Sequence, residues 1–438
     1  MGETERIGSY KRKRDEVDYE IVTTTQWLDG WPSSAIDKNN CSSGSSNIRD
    51  ALPLVDLRSY EQFHKIHLHI NNATPLIVNL PLETLLSGER ACELPPRHVE
   101  FAILVPSTYT DLFSSRNSQC SIHNLFFASK SSATQQSRKP WLVRQVILET
   151  EHLWNEERLR NNIKSSTDKS CENRSSALSF HPLPRLWKPD PLVSSGLLPL
   201  LKQYCHQRTP CTVFDLGSGA GRDVCYLAEE TKAFYHNSIL QQQAILQQQA
   251  KKQNNKHQYD QFPLHFVGVD NHKGSARRCE PLWRNHMIDD ITTSHLLNLN
   301  KLDLVNDCFT NTLFNDQTAT NEKIQPAVFI YAIRFLNRKL LSYIANSASR
   351  NDDIDHERPP LCLPIGTIMA ISHFCKPTKT SEWNFDHPKV SNVLDRDELN
   401  TLFGNKSDDK KWTILKDDIC HDGDHGRTLV QFIARKIA

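Results

Sequence analysis

The strongest constraint on the fold of this chain is the stretch VFDLGSGAGRD at residues 213–223. An apolar run of strand type leads into Gly217, Gly219 and Gly221, and RDVCYLAEE then begins a helical pattern. Glycines in such a turn let the backbone bend tightly. They also let a ligand approach the N-terminus of the helix, because no Cβ stands in the way. This strand–turn–helix unit predicts a nucleotide-binding loop.

Three features of the loop narrow the choice of ligand. No Lys-Ser or Lys-Thr pair follows the glycines, which argues against a phosphate-binding loop and phosphoryl transfer. The spacing is G-x-G-x-G and not the G-x-G-x-x-G of dinucleotide binders, which weighs against a nicotinamide-dependent oxidoreductase. Asp215 lies two residues before the first glycine, where a carboxylate would repel a pyrophosphate. It suits a positively charged ligand, such as the ammonium and sulfonium of S-adenosylmethionine.

A second carboxylate follows at the end of the next apolar run, LHFVGVD at 264–270. Asp270 in that position is suited to accept two hydrogen bonds from the hydroxyls of a ribose. An ordinary role at the N-terminus of a helix is the alternative for this residue.

Strand-type apolar runs recur through the C-terminal half, at 211–216, 264–270, 327–333, 366–374 and 428–436, and helical patterns lie between several of them. This alternation predicts an α/β domain over 182–438 with a Rossmann-like, doubly wound and mostly parallel sheet. The tandem repeat ILQQQAILQQQA begins a Gln-rich insertion at 239–260. We expect the insertion to lengthen the first crossover helix and its loop.

This half of the chain resembles the tellurite-resistance-like branch of the class I, Rossmann-like S-adenosylmethionine-dependent methyltransferases. The resemblance lies in DLGSGAGRDVCYLA, GVDNHKGSARRCEPLW and AIRFLNRKLL. It implies S-adenosyl-L-methionine as the cofactor, with the loop at the methionine end, Asp270 at the ribose and Asp303 near the adenine amino group. The cofactor contacts implied in this way are Asp215, Gly217, Ser218, Gly219, Ala220, Gly221, Asp270, Asn271, Asp303 and Leu304.

The acceptor of the methyl group is not identified by any motif, and a small molecule is favoured. No Asn/Asp-Pro-Pro-Tyr sequence is present, so methylation of a base or amide nitrogen of that type is unsupported. Arg334 and His373 stand at the ends of two strand-type runs and are the candidate catalytic residues. Trp383 and His387 are candidates for lining an acceptor pocket. A sulfonium methyl is already activated, so orientation can suffice, and a base is needed only if the acceptor must lose a proton.

A smaller α/β domain is expected at 49–160, after a disordered tail at 1–48 and before a linker at 161–181. Its segments LVDLRSYEQFHKIHL and ATPLIVNLPL resemble the rhodanese-like domains. The loop PSTYTDLF, which follows the strand FAILVP, contains no cysteine. The domain is therefore expected to be inactive, and to bind a protein partner, cap the cleft or serve a structural role. A sulfurtransferase with Cys120 as a displaced nucleophile is the alternative.

Composition limits the partners and the compartment. The formal net charge of +1 provides no global field for nucleic acid or an anionic membrane. No apolar stretch approaches the ~20 residues of a membrane span. The twelve cysteines form no C-x-x-C, which predicts no metal site, and the chain carries no export signal. Scattered thiols indicate a reducing compartment, so a cytoplasmic protein is expected. The basic run at 11–14 is either a candidate nuclear localisation signal or a solvent-exposed charged segment.

A regulatory protein that binds S-adenosylmethionine without turnover remains an alternative to the enzyme.

Overall fold

The computed structural model describes residues 20–23, 52–68, 76–109, 121–127, 140–149, 163–165, 182–249, 262–314, 326–348, 361–404, 411–421 and 426–438. The chain divides into two compact units, one made of residues 1–178 with 183–188 and one of 179–182 with 189–438. Residues 183–188, which the sequence assigns to the second domain, group with the first unit, where Leu186 packs into the core.

The first unit contains a parallel five-stranded sheet in the order β1-β6-β5-β2-β4. A separate antiparallel pair joins β3 to β7. Its elements are β1 (Glu20–Thr23), β2 (Leu54–Asp56), α1 (Tyr60–Lys65), β3 (Ile66–Leu68), β4 (Ile77–Asn79), α2 (Leu82–Leu86), a 3₁₀ turn (Ala91–Glu93), β5 (Phe101–Val105), α3 (Ser121–Phe126), β6 (Val143–Leu148) and β7 (Ile163–Ser165).

Two of these strands correct the sequence prediction. β1 falls within the stretch predicted as a disordered tail, and β7 falls within the predicted linker. Each is only three or four residues long, so neither carries a local pattern strong enough to stand out. Each is stabilised by pairing with a distant strand, as in the register of Ile21 with Val146. The basic run at 11–14 and Cys120 lie outside the described residues.

A buried ionic network lies at the carboxyl ends of the parallel strands of this unit. The Arg58 guanidinium donates to Asp56 Oδ2 at 2.6 Å and to Glu149 Oε1 at 3.4 Å. The second oxygen of Glu149 accepts from the backbone N–H of Ser107, just after β5, at 3.0 Å. The three charged side chains are almost completely buried, so each charge depends on the others for compensation.

The second unit is a seven-stranded sheet with helices on both faces. A π-helical turn at Leu192–Leu197 leads into its first helix. Its elements are α4 (Leu198–Gln207), β8 (Cys211–Leu216), α5 (Arg222–Gln249), β9 (Leu264–Asp270), α6 (Lys273–Asn285), β10 (Thr292–Leu296), α7 (Leu302–Phe314), β11 (Ala327–Ile333), α8 (Arg338–Ala345), β12 (Ile368–Phe374), a 3₁₀ turn (Val390–Asn392), α9 (Glu398–Phe403), β13 (Trp412–His421) and β14 (Thr428–Lys436).

The strand order of this sheet is β10-β9-β8-β11-β12-β14-β13. The first five strands are parallel, and β14 runs antiparallel to both of its neighbours. The order reverses direction between β8 and β11, which is the topological switch point where doubly wound sheets bind their ligands. The predicted α/β class with a mostly parallel sheet is confirmed.

Alternate residues of each central strand point to opposite faces of the sheet. One face carries the larger apolar core, in which Phe214 of β8 stacks on Phe309 of α7 at 4.2 Å between ring centroids. The described part of the Gln-rich repeat continues α5, as expected of an insertion that lengthens this helix. Among the described helices, none combines the length and the apolar character that crossing a membrane requires.

The network around Arg58 generates a prediction about stability. Arg58→Ala leaves Asp56 and Glu149 buried without their cation, and we expect it to lower the free energy of unfolding by about 3–5 kcal/mol. Arg144→Ala is the matched control, because Arg144 forms an exposed pair with Glu100. The control should cost at most about 1 kcal/mol. Urea denaturation of the full chain measures both. Equal losses for the two variants would contradict the assigned role of the network.

Candidate functional site

The glycine loop connects β8 to α5 at the switch point of the second sheet. Gly217 and Gly219 adopt φ values of 77° and 56°, a left-handed conformation that disfavours other residues. A Cβ on Gly217 would lie 2.5 Å from the Phe335 ring, so this position is needed for packing. A Cβ on Gly219 would meet nothing within 4 Å among the described residues, so a ligand can approach the backbone there.

The Asp270 carboxylate at the end of β9 connects that strand to the glycine loop. Its Oδ2 accepts the Gly219 backbone N–H at 2.8 Å, and its Oδ1 accepts the His272 backbone N–H at 2.7 Å. Two carboxylate oxygens offer about four acceptor positions, so this partly exposed group keeps capacity for further donors such as ribose hydroxyls. His272, and not Asp270, occupies the N-cap position of α6.

The Asp215 carboxyl lies on the same face of the sheet as Tyr331, because the two residues are in register on neighbouring strands. Both residues are buried. Burial raises the pKa of Asp215 well above its ordinary value, and the nearby carboxyls of Asp223 and Asp270 raise it further, whereas the Tyr331 hydroxyl lowers it. That hydroxyl has no hydrogen-bond partner of good geometry among the described residues.

Two further carboxyls, Asp223 and Asp190, complete a cluster with Asp215. Asp223, in the first turn of α5, accepts the Asp190 backbone N–H at 3.2 Å. Asp190 in turn accepts the Ser372 hydroxyl of β12 at 3.1 Å. Burial and the charge of Asp190 raise the pKa of Asp223 to about 6. The cluster therefore places a strong negative potential, or a protonated carboxyl ready to lose its proton, beside the glycine loop.

The two candidate catalytic residues lie in different surroundings. Arg334, directly after β11, is exposed at the carboxyl edge of the sheet, and its guanidinium carbon lies 5.2 Å from the centroid of the Phe374 ring. His373 is buried and donates from Nε2 to the Asn392 carbonyl at 2.8 Å. Burial lowers the pKa of His373, which favours the neutral ring. Because Ser372 faces the carboxyl cluster, the next residue of the strand, His373, faces the opposite side.

The remaining predicted residues lie around the same edge. Asp303 and Leu304 are exposed in the first turn of α7, well beyond the end of β10 at Leu296. Asn271 is exposed beside Asp270. In the loop after β12, Trp383 packs 6.2 Å from Phe374, and its indole N–H donates to the Pro388 carbonyl. His387 is exposed in that loop. None of these contacts tests the roles that the resemblance implies, and those roles stay predictions.

Sequence reasoning missed Asp190, Asp223 and Tyr331. Asp223 lies two residues after Gly221 in GAGRD. Tyr331 stands in a predicted strand, and alignment of β11 with β8 would have placed it beside Asp215. Asp190 begins the helical segment before β8 and carries no local signal of its own. Its position depends on packing of that segment against β12.

No protein-family model matches the chain, and no curated protein matches it. Solved structures to which the chain is similar include methyltransferases and the [4+2]-cyclase SpnF. TehB from Haemophilus influenzae is 14% identical over 54% of this chain and 62% of its own length, with a TM-score of 0.28. A SAM-dependent methyltransferase from Aquifex aeolicus is 12% identical over 56% of this chain and 93% of its own, with a TM-score of 0.29. The methyltransferase domain of bacterial CtHen1-C is 12% identical over 56% of this chain and 100% of its own length, with a TM-score of 0.31.

These neighbours cover about half of the present chain, and the chain spans less than two thirds of TehB. The fold assignment itself comes from the strand order of the second sheet.

The carboxyl cluster generates a prediction about pH and stability. The pKa of Asp223 is about 6 in the folded chain, against an ordinary value of 3.8. The folded state therefore binds this proton more tightly than the unfolded state does. The resulting stabilisation is complete below the ordinary value and is lost as the pH rises through about 6.

Asp223→Asn removes the charge, and we expect it to raise the stability by about 1–2 kcal/mol at pH 8 and by about half as much at pH 5, which lies between the two pKa values. The change is measured as the melting temperature at the two pH values. Asp418→Asn, at an exposed carboxylate on β13, is the control and should show no such difference. A gain for Asp223→Asn that is equal at both pH values would exclude titration of this carboxyl as its cause.

Proposed function

We propose that the second unit is an S-adenosylmethionine-dependent methyltransferase that acts on a small molecule. The observation that carries the proposal is the convergence of two carboxyl groups on one glycine loop. Asp270 bonds to the loop backbone at Gly219, and Asp215 is close enough to interact with Asp270. Both residues lie beside the point where the strand order reverses.

The residues present fit such a cofactor. The open approach to Gly219 leaves room for a ligand against the loop backbone, and Asp270 keeps acceptor capacity for a ribose. The cluster of Asp190, Asp215 and Asp223 suits the ammonium and sulfonium charges better than a phosphate. Ser218, Ala220 and Gly221 belong to the same loop, and Asn271, Asp303 and Leu304 are proposed as contacts toward the adenine.

The bound cofactor would supply an activated methyl group, so the protein has to orient the acceptor and exclude competing water. Where the acceptor must lose a proton, Asp223 is the better base. Its pKa of about 6 lies near the working pH, whereas His373 faces away from the cluster. Arg334 at the rim of the cleft is proposed to bind an anionic part of the acceptor.

For the first unit we propose a non-catalytic role, with a protein partner as its ligand. In a rhodanese-like site, the backbone N–H groups of the loop after this strand would bind an anion or stabilise a thiolate. Here the Glu149 carboxylate accepts the N–H of Ser107 in that loop. Because Glu149 is also paired with Arg58, its carboxylate stays in place. The Ser107 N–H is therefore already hydrogen-bonded inside the protein and is not available to an anion. No family model and no curated protein matches the chain, so this assignment depends on the sequence resemblance and on this network.

A non-catalytic protein that binds S-adenosylmethionine is the second candidate, because the same carboxylates and loop would bind the cofactor in either case. Incubation of the full chain with methyl-labelled cofactor and a metabolite extract separates the two functions. Incorporation of label into a small molecule, reduced in Asp223→Asn, supports the enzyme. Cofactor binding with no incorporation into any fraction favours the regulatory protein.

The position of the ribose generates a prediction about affinity. Asp270→Ala should weaken cofactor binding by about 30- to 1,000-fold, since the loss of two hydrogen bonds to a charged acceptor costs roughly 2–4 kcal/mol. Asp270→Asn keeps one acceptor oxygen and should lose less. Titration calorimetry with S-adenosylmethionine measures both, with Asp418→Ala as the control. Unchanged affinity in Asp270→Ala would place the ribose elsewhere.

The raised pKa of Asp215 generates a prediction about protons. A cation that binds beside this buried carboxyl stabilises its charged form, so binding should expel a proton. The demethylated product lacks the sulfonium charge and should expel less. Calorimetry in buffers of different ionisation enthalpy counts the protons for each ligand. Equal proton release for S-adenosylmethionine and S-adenosylhomocysteine would argue against a sulfonium beside Asp215.

A further inference from the structure

Three side chains of metal-ligand type meet in the second unit, next to the glycine loop but separate from the carboxyl cluster. Cys225 and Glu229 are four residues apart on α5 and therefore lie on one face of the helix. His286 directly follows the end of α6. All three residues are buried, with 0%, 0% and 3% of their surface exposed. Their ligand atoms all lie within 4.8 Å of one another.

We propose that Cys225, Glu229 and His286 form a structural zinc site. Thiolate, carboxylate and imidazole are the donors that zinc prefers, and a carboxylate that binds through both oxygens completes a set of four. Ligand atoms about 2.0–2.3 Å from a tetrahedral zinc are separated by roughly 3–4 Å, so small side-chain rotations suffice. A divalent cation with one thiolate and one carboxylate is neutral overall, which suits a buried site.

A metal-free ion pair is the competing explanation. His286 Nδ1 lies 2.8 Å from Glu229 Oε1, so a protonated histidine would satisfy the carboxylate. That pair accounts for two of the three residues. It does not require a thiol, whereas Cys225 Sγ lies within 4.8 Å of a ligand atom of each of the other two residues. The zinc site accounts for all three.

The site is positioned to support the cofactor loop. The Cys225 backbone N–H donates to the Gly221 carbonyl at 2.9 Å, and the Trp283 indole N–H donates to the same oxygen at 3.1 Å. Trp283 and His286 are on the last turn of α6 and directly after it. A metal that joins Cys225 to His286 would therefore join the start of α5 to the end of α6 around Gly221. Such a metal stabilises the unit whether or not the unit transfers methyl groups.

The test uses the full chain, stripped with a chelator and titrated with Co²⁺ and with Zn²⁺. A site with a thiolate ligand should give a thiolate-to-cobalt absorption band that saturates at one equivalent, and zinc should displace the cobalt and raise the melting temperature. Cys225→Ser should abolish the band and weaken zinc binding by roughly a hundredfold or more.

Cys205→Ser is the matched control, since Cys205 is also buried in this unit. Burial raises the pKa of its thiol to about 12, so it stays protonated. This variant should keep both the band and the zinc-dependent stabilisation. If Cys225→Ser does not fold, the cobalt spectrum of the unmodified chain and of His286→Gln decides the question. The site is excluded if the unmodified chain shows no thiolate band, or if the band survives Cys225→Ser.

Discussion

The hydrogen bond from the Gly219 backbone to the Asp270 carboxylate is the interaction on which the candidate site depends. It joins the loop after β8 to the end of β9, and so fixes the loop against the edge of the sheet where ligands bind. The left-handed conformation at Gly219 directs its N–H at the carboxylate without a Cβ in the way. The open side of the loop therefore remains available to a ligand.

Around this connection the protein accumulates carboxyl groups at a cost in stability. Burial and neighbouring carboxyls, Asp223 for Asp215 and Asp190 for Asp223, raise the pKa of both groups, and the nearby Arg222 and Arg334 offset this only in part at Asp223. A fold selected only for stability would replace one of them with an apolar or amide side chain. Repulsion that a bound cation would relieve is typical of a site arranged for a positively charged ligand.

The parts of the fold that the sequence predicts are those whose environment is encoded locally. β8, β9, β11, β12 and β14 are central strands, buried on both faces, and so they read as continuous apolar runs. β10 and β13 are edge strands with polar residues, and they were not predicted. The run TTSHL of β10 has no apolar alternation, and it becomes a strand because its backbone pairs with β9. The same holds for β1, whose pairing with β6 is a tertiary interaction.

The candidate site divides in the same way. Asp215, Asp270 and the glycines could be recognised because they lie at the ends of predicted strands, and chain order alone brings those ends together. Asp190 and Tyr331 could not be recognised as site residues without knowing which face of the sheet each of them occupies. The cluster of Cys225, Glu229 and His286 could not be predicted from the sequence, because a search for closely spaced cysteines does not find a set of ligands that comes from two helices.

The two groups of buried titratable residues differ in how their charges are balanced and in how easily a bound cation could leave. The carboxyl cluster has three acidic groups against the nearby charges of Arg222 and Arg334, and it lies at the carboxyl edge of the sheet, where a bound cation can exchange with solvent. Cys225, Glu229 and His286 are closed off between α5 and α6, so a cation bound there would stay. Both groups are linked to the loop at 217–221. The carboxyl cluster is linked through Asp270, which lies near Asp215 and accepts the Gly219 N–H, and the second group is linked through Cys225, which donates to the Gly221 carbonyl. The loop therefore has a fixed side toward the helices and an exchangeable side toward the cleft. This is the arrangement that a cofactor site needs if its ligand must leave after each turnover while the loop keeps its shape.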